Sequence, residues 1–189
     1  MMQKCYMISY QYKEPPKPPT PPPYTCKVAF WIPTIKNDSY TNAIFDYAHY
    51  NQTILHNDSV ILYKKRNTEN DQEIIRKFRD HFPPSKIHGV NHWLEVDPFL
   101  VKSGVDVLYR MTSGSNDREI SSYKKNIVHC TDHIYHPHGD VYAAISPNVD
   151  GYSTRDKLVP HPDFTGNQED PVNMMQQFKA VFLDPIIPI

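Results

Sequence analysis

Dense apolar runs and helical stripes alternate along this chain. Lys27–Pro33 (KVAFWIP) is apolar at consecutive positions, as a strand buried on both faces requires. Tyr40, Ala43, Ile44, Tyr47, Ala48, Ile54 and Leu55 then recur at helical spacing, with Asp38 or Ser39 placed to cap the start. Ser59–Tyr63 (SVILY) predicts a second strand. Ile74, Ile75, Phe78 and Phe82 share one face of a helix over Asp71–Phe82, which Pro83-Pro84 stops. Weaker strand character around Lys86–Val90 follows, then a short helix over Val96–Lys102 that ends at Gly104. Strands over Val105–Arg110, Asn126–His129 and Val141–Ser146 complete the series.

Strands separated by helices of this length predict right-handed crossovers and a parallel sheet. The expected fold class is α/β: a doubly wound, Rossmann-like, mostly parallel sheet with helices on both faces, in a single domain over residues 26–165. Five or more strands are expected, with Val28–Ile32 near the centre because that run is apolar on both faces. An antiparallel α+β domain is the alternative, since the third strand is weakly marked.

The two ends have a different character. Seven of the 18 prolines fall in Pro15–Pro23 (PPKPPTPPP), which predicts an extended polyproline arm of about 28 Å. Residues 1–25 thus read as a short strand, Tyr6–Tyr12, plus this arm, serving as a linker or as a docking arm. Residues 166–189 read as one helix (Asp170–Phe182) and an apolar tail, FLDPIIPI. Residues 6–23 and 182–189 are expected to contact other protein chains, because apolar and aromatic ends are poorly suited to water.

Composition narrows the function. Twenty basic residues face twenty-one acidic ones, for a formal charge of -1, so electrostatics alone supply no nucleic-acid surface. No window approaches the roughly 18 apolar residues of a membrane span. Met1–Tyr12 lacks the continuous apolar core of a signal peptide, and the three cysteines, Cys5, Cys26 and Cys130, are widely spaced with no CxxC pair. Both features point to a reducing, cytoplasmic setting. The N-x-S/T triplets at Asn37, Asn51 and Asn57 carry no meaning there.

In such a sheet ligands sit beyond the carboxyl ends of the strands, which directs attention to Thr34–Thr41, Met111–Glu119 and Thr131–Asp140. The first loop (TIKNDSYT) contains no glycine; the first in the chain is Gly89. A dinucleotide fingerprint and a P-loop both need glycine there so that the backbone can approach phosphate, so neither cofactor class is expected. G-x-S-x-G and D-x-D are also absent. Ser113 and Asn116, in the polar turn MTSGSNDRE, are candidate hydrogen-bonding partners for a sugar. His129–Asp140 (HCTDHIYHPHGD) holds four of the ten histidines and reads as a histidine-rich ligand loop, with His129 a candidate contact. Its spacing fits no standard zinc pattern, so no metal is expected. His129 and Cys130 are adjacent on a strand and should point to opposite faces, which disfavours a Cys–His dyad.

Four segments taken together, Thr41–Asn51 (TNAIFDYAHYN), Val128–Cys130 (VHC), His136–Ser146 (HPHGDVYAAIS) and Val159–His161 (VPH), resemble the N-terminal half of GT-B-type glycosyltransferase-like proteins of bacteria and large DNA viruses. The resemblance covers about residues 27–162. It implies an acceptor-side half-domain facing an interdomain cleft, with a glycan acceptor or nucleotide sugar as ligand. Asn42, His138, Gly139 and Asp140 would line that cleft, with His138 and Asp140 as its catalytic pair. The chain has no room for the donor-binding second half, so no independent activity is expected. The alternative implied is a structural or interaction protein of a larger assembly, such as a virion, built on a degenerate transferase half-domain.

Overall fold

The computed structural model describes residues 26–168 and 170–187. The expected N-terminal strand and proline arm, residues 1–25, and residues 188–189 of the tail lie outside them. Six strands, β1 (Lys27–Ile32), β2 (Asp58–Lys64), β3 (Ile87–Val90), β4 (Val107–Thr112), β5 (Lys125–Cys130) and β6 (Val141–Ala144), form one sheet in the order β3-β2-β1-β4-β5-β6. Every neighbouring pair is parallel. This is the single-domain, Rossmann-like α/β architecture, with β1 inside the sheet as its apolar run requires.

Register divides the side chains between two faces. Phe30 lies level with Ile61 and Tyr109, and Tyr109 with Ile127; this row looks onto the first face. Trp31 lies level with Leu62 and Arg110, and Arg110 with Val128, on the second. Helices α1 (Ser39–Thr53) and α2 (Gln72–His81) cover the first face through Ala43, Ile44, Tyr47, Ile75 and Phe78. Helix α3 (Val96–Lys102) returns on the second face and buries Val96 and Leu100 beside Ala29, Trp31 and Leu108. After β6 come α4 (Pro162–Thr165) and α5 (Pro171–Phe178).

The chain from Asp170 to Phe182, expected as a single helix, is α-helical over Pro171–Phe178 and then widens into a π turn over Lys179–Leu183. Asp170 caps α5, accepting from the Asn173 N–H at 3.3 Å. Phe178 packs against Tyr47 and Tyr109 at ring-centroid distances of 5.1 and 5.5 Å, and Phe182 against His129 at 5.0 Å. Ile186 and Ile187 pack on the same core. Phe182 and Leu183 are thus buried in this chain's own core, and Ile186 and Ile187 are partly covered by it.

Two of the N-x-S/T triplets have a structural role. Asn51 is fully buried on α1; its Nδ2 donates to Ser59 Oγ at 2.9 Å and its Oδ1 accepts from Asn57 Nδ2 at 3.1 Å. Asn57 Oδ1 in turn accepts from the Cys26 N–H at 3.1 Å. This network joins the end of α1 to the starts of β1 and β2.

The expected helices on the second face over β4–β6 are missing. Irregular segments 113–124 and 131–140 cover it instead, and irregular backbone needs hydrogen-bond partners when buried. Arg110, 2% exposed, supplies them from within the sheet. Its guanidinium donates to Asp117 Oδ1 at 2.6 Å, to Asp117 Oδ2 and to the Glu119 carbonyl. Glu119 Oε2 also accepts from Trp31 Nε1 at 3.0 Å. Strand β4, expected over Val105–Arg110, runs over Val107–Thr112, with Arg110 held inside the sheet by Asp117 and Glu119. Where the two irregular segments meet, a Cβ on Gly114 would lie 1.7 Å from the His133 carbonyl oxygen, so only glycine fits.

Two outcomes follow from this packing. Phe178→Ala should lower unfolding free energy by about 3–5 kcal/mol, the usual cost of emptying a buried aromatic site, as read by urea denaturation. Asp117→Ala should cost about 2–3 kcal/mol, less than the roughly 3–5 for breaking a fully buried pair, because the Asp117 side chain is 43% exposed. Burial raises the Asp117 pKa, but the hydrogen bonds and charge of Arg110 outweigh it and hold the carboxyl below its usual range. Its contribution is therefore present above the unfolded value of about 3.9 and is lost as pH falls through the folded one. The variant should lose less stability than the parent on acidification from pH 5 to 2.

Candidate functional site

The strand order reverses direction between β1 and β4, and the carboxyl ends of these strands part to leave a crevice. A pocket of about 230 Å³ opens there. Ile32 and Met111, at the ends of β1 and β4, contribute its apolar lining; Thr34, Lys36, Asp38 and Tyr40, from the connection and first turn of α1, contribute its polar one. Asp38 is the N-cap of α1, and its Oδ1 accepts from the Thr41 N–H at 2.8 Å. Lys36 Nζ lies 3.3 Å from Glu69 Oε2 and 3.9 Å from Asp38 Oδ2. The Tyr40 hydroxyl bonds to Thr131 Oγ1 and lies 3.5 Å from Asp132 Oδ2, tying α1 to the end of β5. Burial of Tyr40 is the main cause that raises its pKa, so the phenol stays protonated.

These residues do not fit the dinucleotide that this strand order accommodates elsewhere. A phosphate would need free N–H groups and a positive helix end. Here a carboxylate caps that end, and the nearby lysine is already paired with two carboxylates.

The residues singled out by sequence separate into distinct places. Asn42 is exposed on the first turn of α1, at the carboxyl end of the sheet. Ser113 is exposed just past the end of β4, and its carbonyl accepts from the His133 N–H at 3.0 Å. Asn116 is exposed farther along, its Oδ1 accepting from the Arg118 N–H at 3.0 Å.

His138, Gly139 and Asp140 do not share the crevice with Asn42. Segment 131–140 must return from the carboxyl end of β5 to the amino end of β6, so its last residues lie at the opposite end of the sheet. Asp140 binds there to the start of β5: it accepts from the Asn126 N–H at 2.8 Å and from Lys125 Nζ at 3.1 Å. Burial raises its pKa, and these bonds outweigh that and lower it. Gly139 adopts φ +83°, and a Cβ on it would lie 2.9 Å from Val128 Cγ2, so its lack of a side chain serves loop packing. His138 Nδ1 donates to the His136 carbonyl at 2.6 Å.

His129 is no surface ligand. It is fully buried on the first face, with Nδ1 2.7 Å from the Tyr109 hydroxyl. Burial pushes its pKa down to about 3. Cys130 points to the other face, where its thiol donates to the His133 carbonyl at 2.9 Å; burial raises its pKa. Burial raises Cys26 to about 12, with a further contribution from Asp106. Neither thiol is a thiolate at neutral pH. Among the described residues no group of three or more His, Cys, Asp or Glu is placed to hold a metal ion, and no helix is long and apolar enough to cross a membrane.

The residues that sequence reasoning passed over are Lys36, Asp38 and Tyr40, taken there as loop, cap and core. Their signal was position: in this fold the first turn after β1 faces the crevice. No family model matches the chain, and no curated protein matches it. The fold and the crevice therefore define the class, a Rossmann-like α/β domain with a switch-point pocket.

The buried imidazole gives a direct check. A His129 pKa of about 3 lies below the unfolded value of about 6.5, so its stabilisation is complete above pH 6.5 and declines as pH falls toward 3. The His129 ring resonances should stay constant in NMR titration from pH 8 to 5.

Proposed function

We propose that this chain is a glycosyltransferase-like domain of the acceptor-side type, whose switch-point crevice holds one uncharged sugar unit and which has no independent transfer activity. The observation that carries the reading is the carboxylate of Asp38 at the N-terminus of α1. It repels a phosphate and accepts hydrogen bonds from hydroxyl groups. Thr34 and the protonated Tyr40 add further donors and acceptors, and Ile32 and Met111 supply an apolar surface for a sugar ring. The volume of about 230 Å³ is below the roughly 300–1,000 Å³ of sites that enclose drug-sized ligands, and so suits a monosaccharide rather than a nucleotide sugar. Aligning a donor against the acceptor supplies about 7–11 kcal/mol of a transfer barrier, and a second chain or domain has to provide it.

The displacement of His138 and Asp140 from the crevice favours a second reading, a structural or interaction protein of a larger assembly built on a degenerate half-domain. Ligand-observed NMR separates the two. Under the first reading neutral hexoses receive saturation from the protein, uridine diphosphate does not compete, and Tyr40→Phe weakens the effect at least about fivefold. Asp38→Ser keeps a capping oxygen while removing the charge, so it should admit phosphate that the parent rejects. The isolated chain should transfer no sugar above background. Preferential binding of the nucleotide would sink the first reading, and no hexose binding would leave the second.

A further inference from the structure

The rim of the crevice is held from behind by the connection between β2 and α2. Asn67 on that connection forms an Asx turn, its Oδ1 accepting from the Glu69 N–H at 3.0 Å. That bond fixes which way round the amide stands. Both protons of Nδ2 then go to the β1–α1 connection, one to the Pro33 carbonyl at 3.1 Å and one to Thr34 Oγ1 at 2.6 Å. The next residue is held independently. Asn70 Oδ1 accepts from the Ile35 N–H at 2.9 Å, Asn70 Nδ2 donates to the Lys64 carbonyl at 2.9 Å, and the Asp71 N–H donates to the Ile35 carbonyl at 2.7 Å.

These bonds give the crevice a direction of hydrogen bonding. Thr34 lines the pocket, and its oxygen already accepts from Asn67. No group among the described residues takes the proton of Thr34 itself, so that proton is left for a ligand. Tyr40 works the other way. Thr131 Oγ1 donates to the Thr112 carbonyl at 3.1 Å, so in its bond with Tyr40 the phenol is the donor. Asp132, the other group near the phenol, is also an acceptor. The Tyr40 proton is thus spent inside the protein, and its oxygen is left to accept. Asp38 Oδ1 takes the Thr41 N–H, while Oδ2 has only Lys36 Nζ at 3.9 Å, beyond hydrogen-bond distance. Among the residues that line the pocket, Thr34 offers a proton where Tyr40 and Asp38 offer lone pairs.

We infer that Asn67 is a positioning residue for the crevice: by donating to Thr34 it makes that hydroxyl the donor to a sugar oxygen, while the sugar's own hydroxyl protons go to Tyr40 and Asp38. The assignment rests on the sugar reading of the crevice. Asn67 acts through Thr34 and not on the ligand. Exchanging its amide nitrogen for oxygen reverses the bond, since a carboxylate accepts the Thr34 proton and leaves the hydroxyl only lone pairs to present. The bonds of Asn70 and Asp71 to Ile35 still hold the rim in such a variant.

The test is a double-variant cycle on the full chain, read as hexose affinity by ligand-observed NMR, with circular dichroism confirming that each variant folds. Asn67→Asp and Thr34→Val should each weaken binding of the best-bound neutral hexose at least about fivefold, the usual worth of one hydrogen bond. The Asn67→Asp/Thr34→Val double variant should bind within about twofold of Thr34→Val alone, because residues that act through one another are not additive. A role in the fold alone would persist in the valine background. Asn67→Ala, which removes the donor without adding a charge, is the second variant should the carboxylate disturb Pro33, and the same cycle applies to it. Without ligand, the Asn67 side-chain amide protons should exchange at least about fivefold more slowly than those of Asn116, whose Nδ2 has no partner among the described residues. Equal exchange at the two asparagines, additive losses in the double variant, or full hexose affinity in both Asn67 variants overturns the assignment and leaves the sugar reading standing. No hexose binding by the parent chain overturns the sugar reading and this assignment with it.

Discussion

Both faces of a parallel sheet must be kept dry, and the rest of this molecule follows from how that requirement is met. The first face has helices for the purpose: α1 and α2, then α5 and its π turn, which carry Phe178 and Phe182 onto Tyr47, Tyr109 and His129. The second face has one helix, α3, over β1 and its neighbours. Over β4–β6 the cover is irregular chain, and irregular chain brings polar backbone into the interior. The sheet answers with polar side chains of its own. Arg110 binds the Asp117 carboxylate and the Glu119 carbonyl. Asn126 Nδ2 donates to the Ser121 and Lys124 carbonyls, both at 2.9 Å, and its Oδ1 accepts from the Ser121 N–H at 2.7 Å. A buried charge and a buried amide, both poor core residues on transfer energy alone, are here the condition for closing the face.

The same cover decides where chemistry can sit. Segments 113–124 and 131–140 run from the carboxyl end of the sheet to its amino end, and they take their polar residues with them. The HPHGD stretch is consequently fastened to the start of β5 through Asp140 and packed through Gly139. The crevice at the carboxyl ends of β1 and β4 is left to the β1–α1 connection. Its character is set by a local need, the orphan N–H groups of α1. Asp38 meets that need with a carboxylate, and in doing so makes the helix end a poor site for phosphate. Folding and the proposed ligand preference rest on one side chain.

Much of this is legible in the sequence. The apolar run of β1 put it inside the sheet, the stripe over α1 predicted the face that packs, and Asp38 stood where a cap belongs. Each of these is a property of neighbours in sequence, and period and capping report on neighbours. The depth of His129, the pairing of Arg110, and the destination of His138 and Asp140 were decided by the tertiary structure. Periodicity states which side of an element a residue occupies. It does not state which end of the sheet a connection reaches, because that depends on crossovers between strands far apart in the chain.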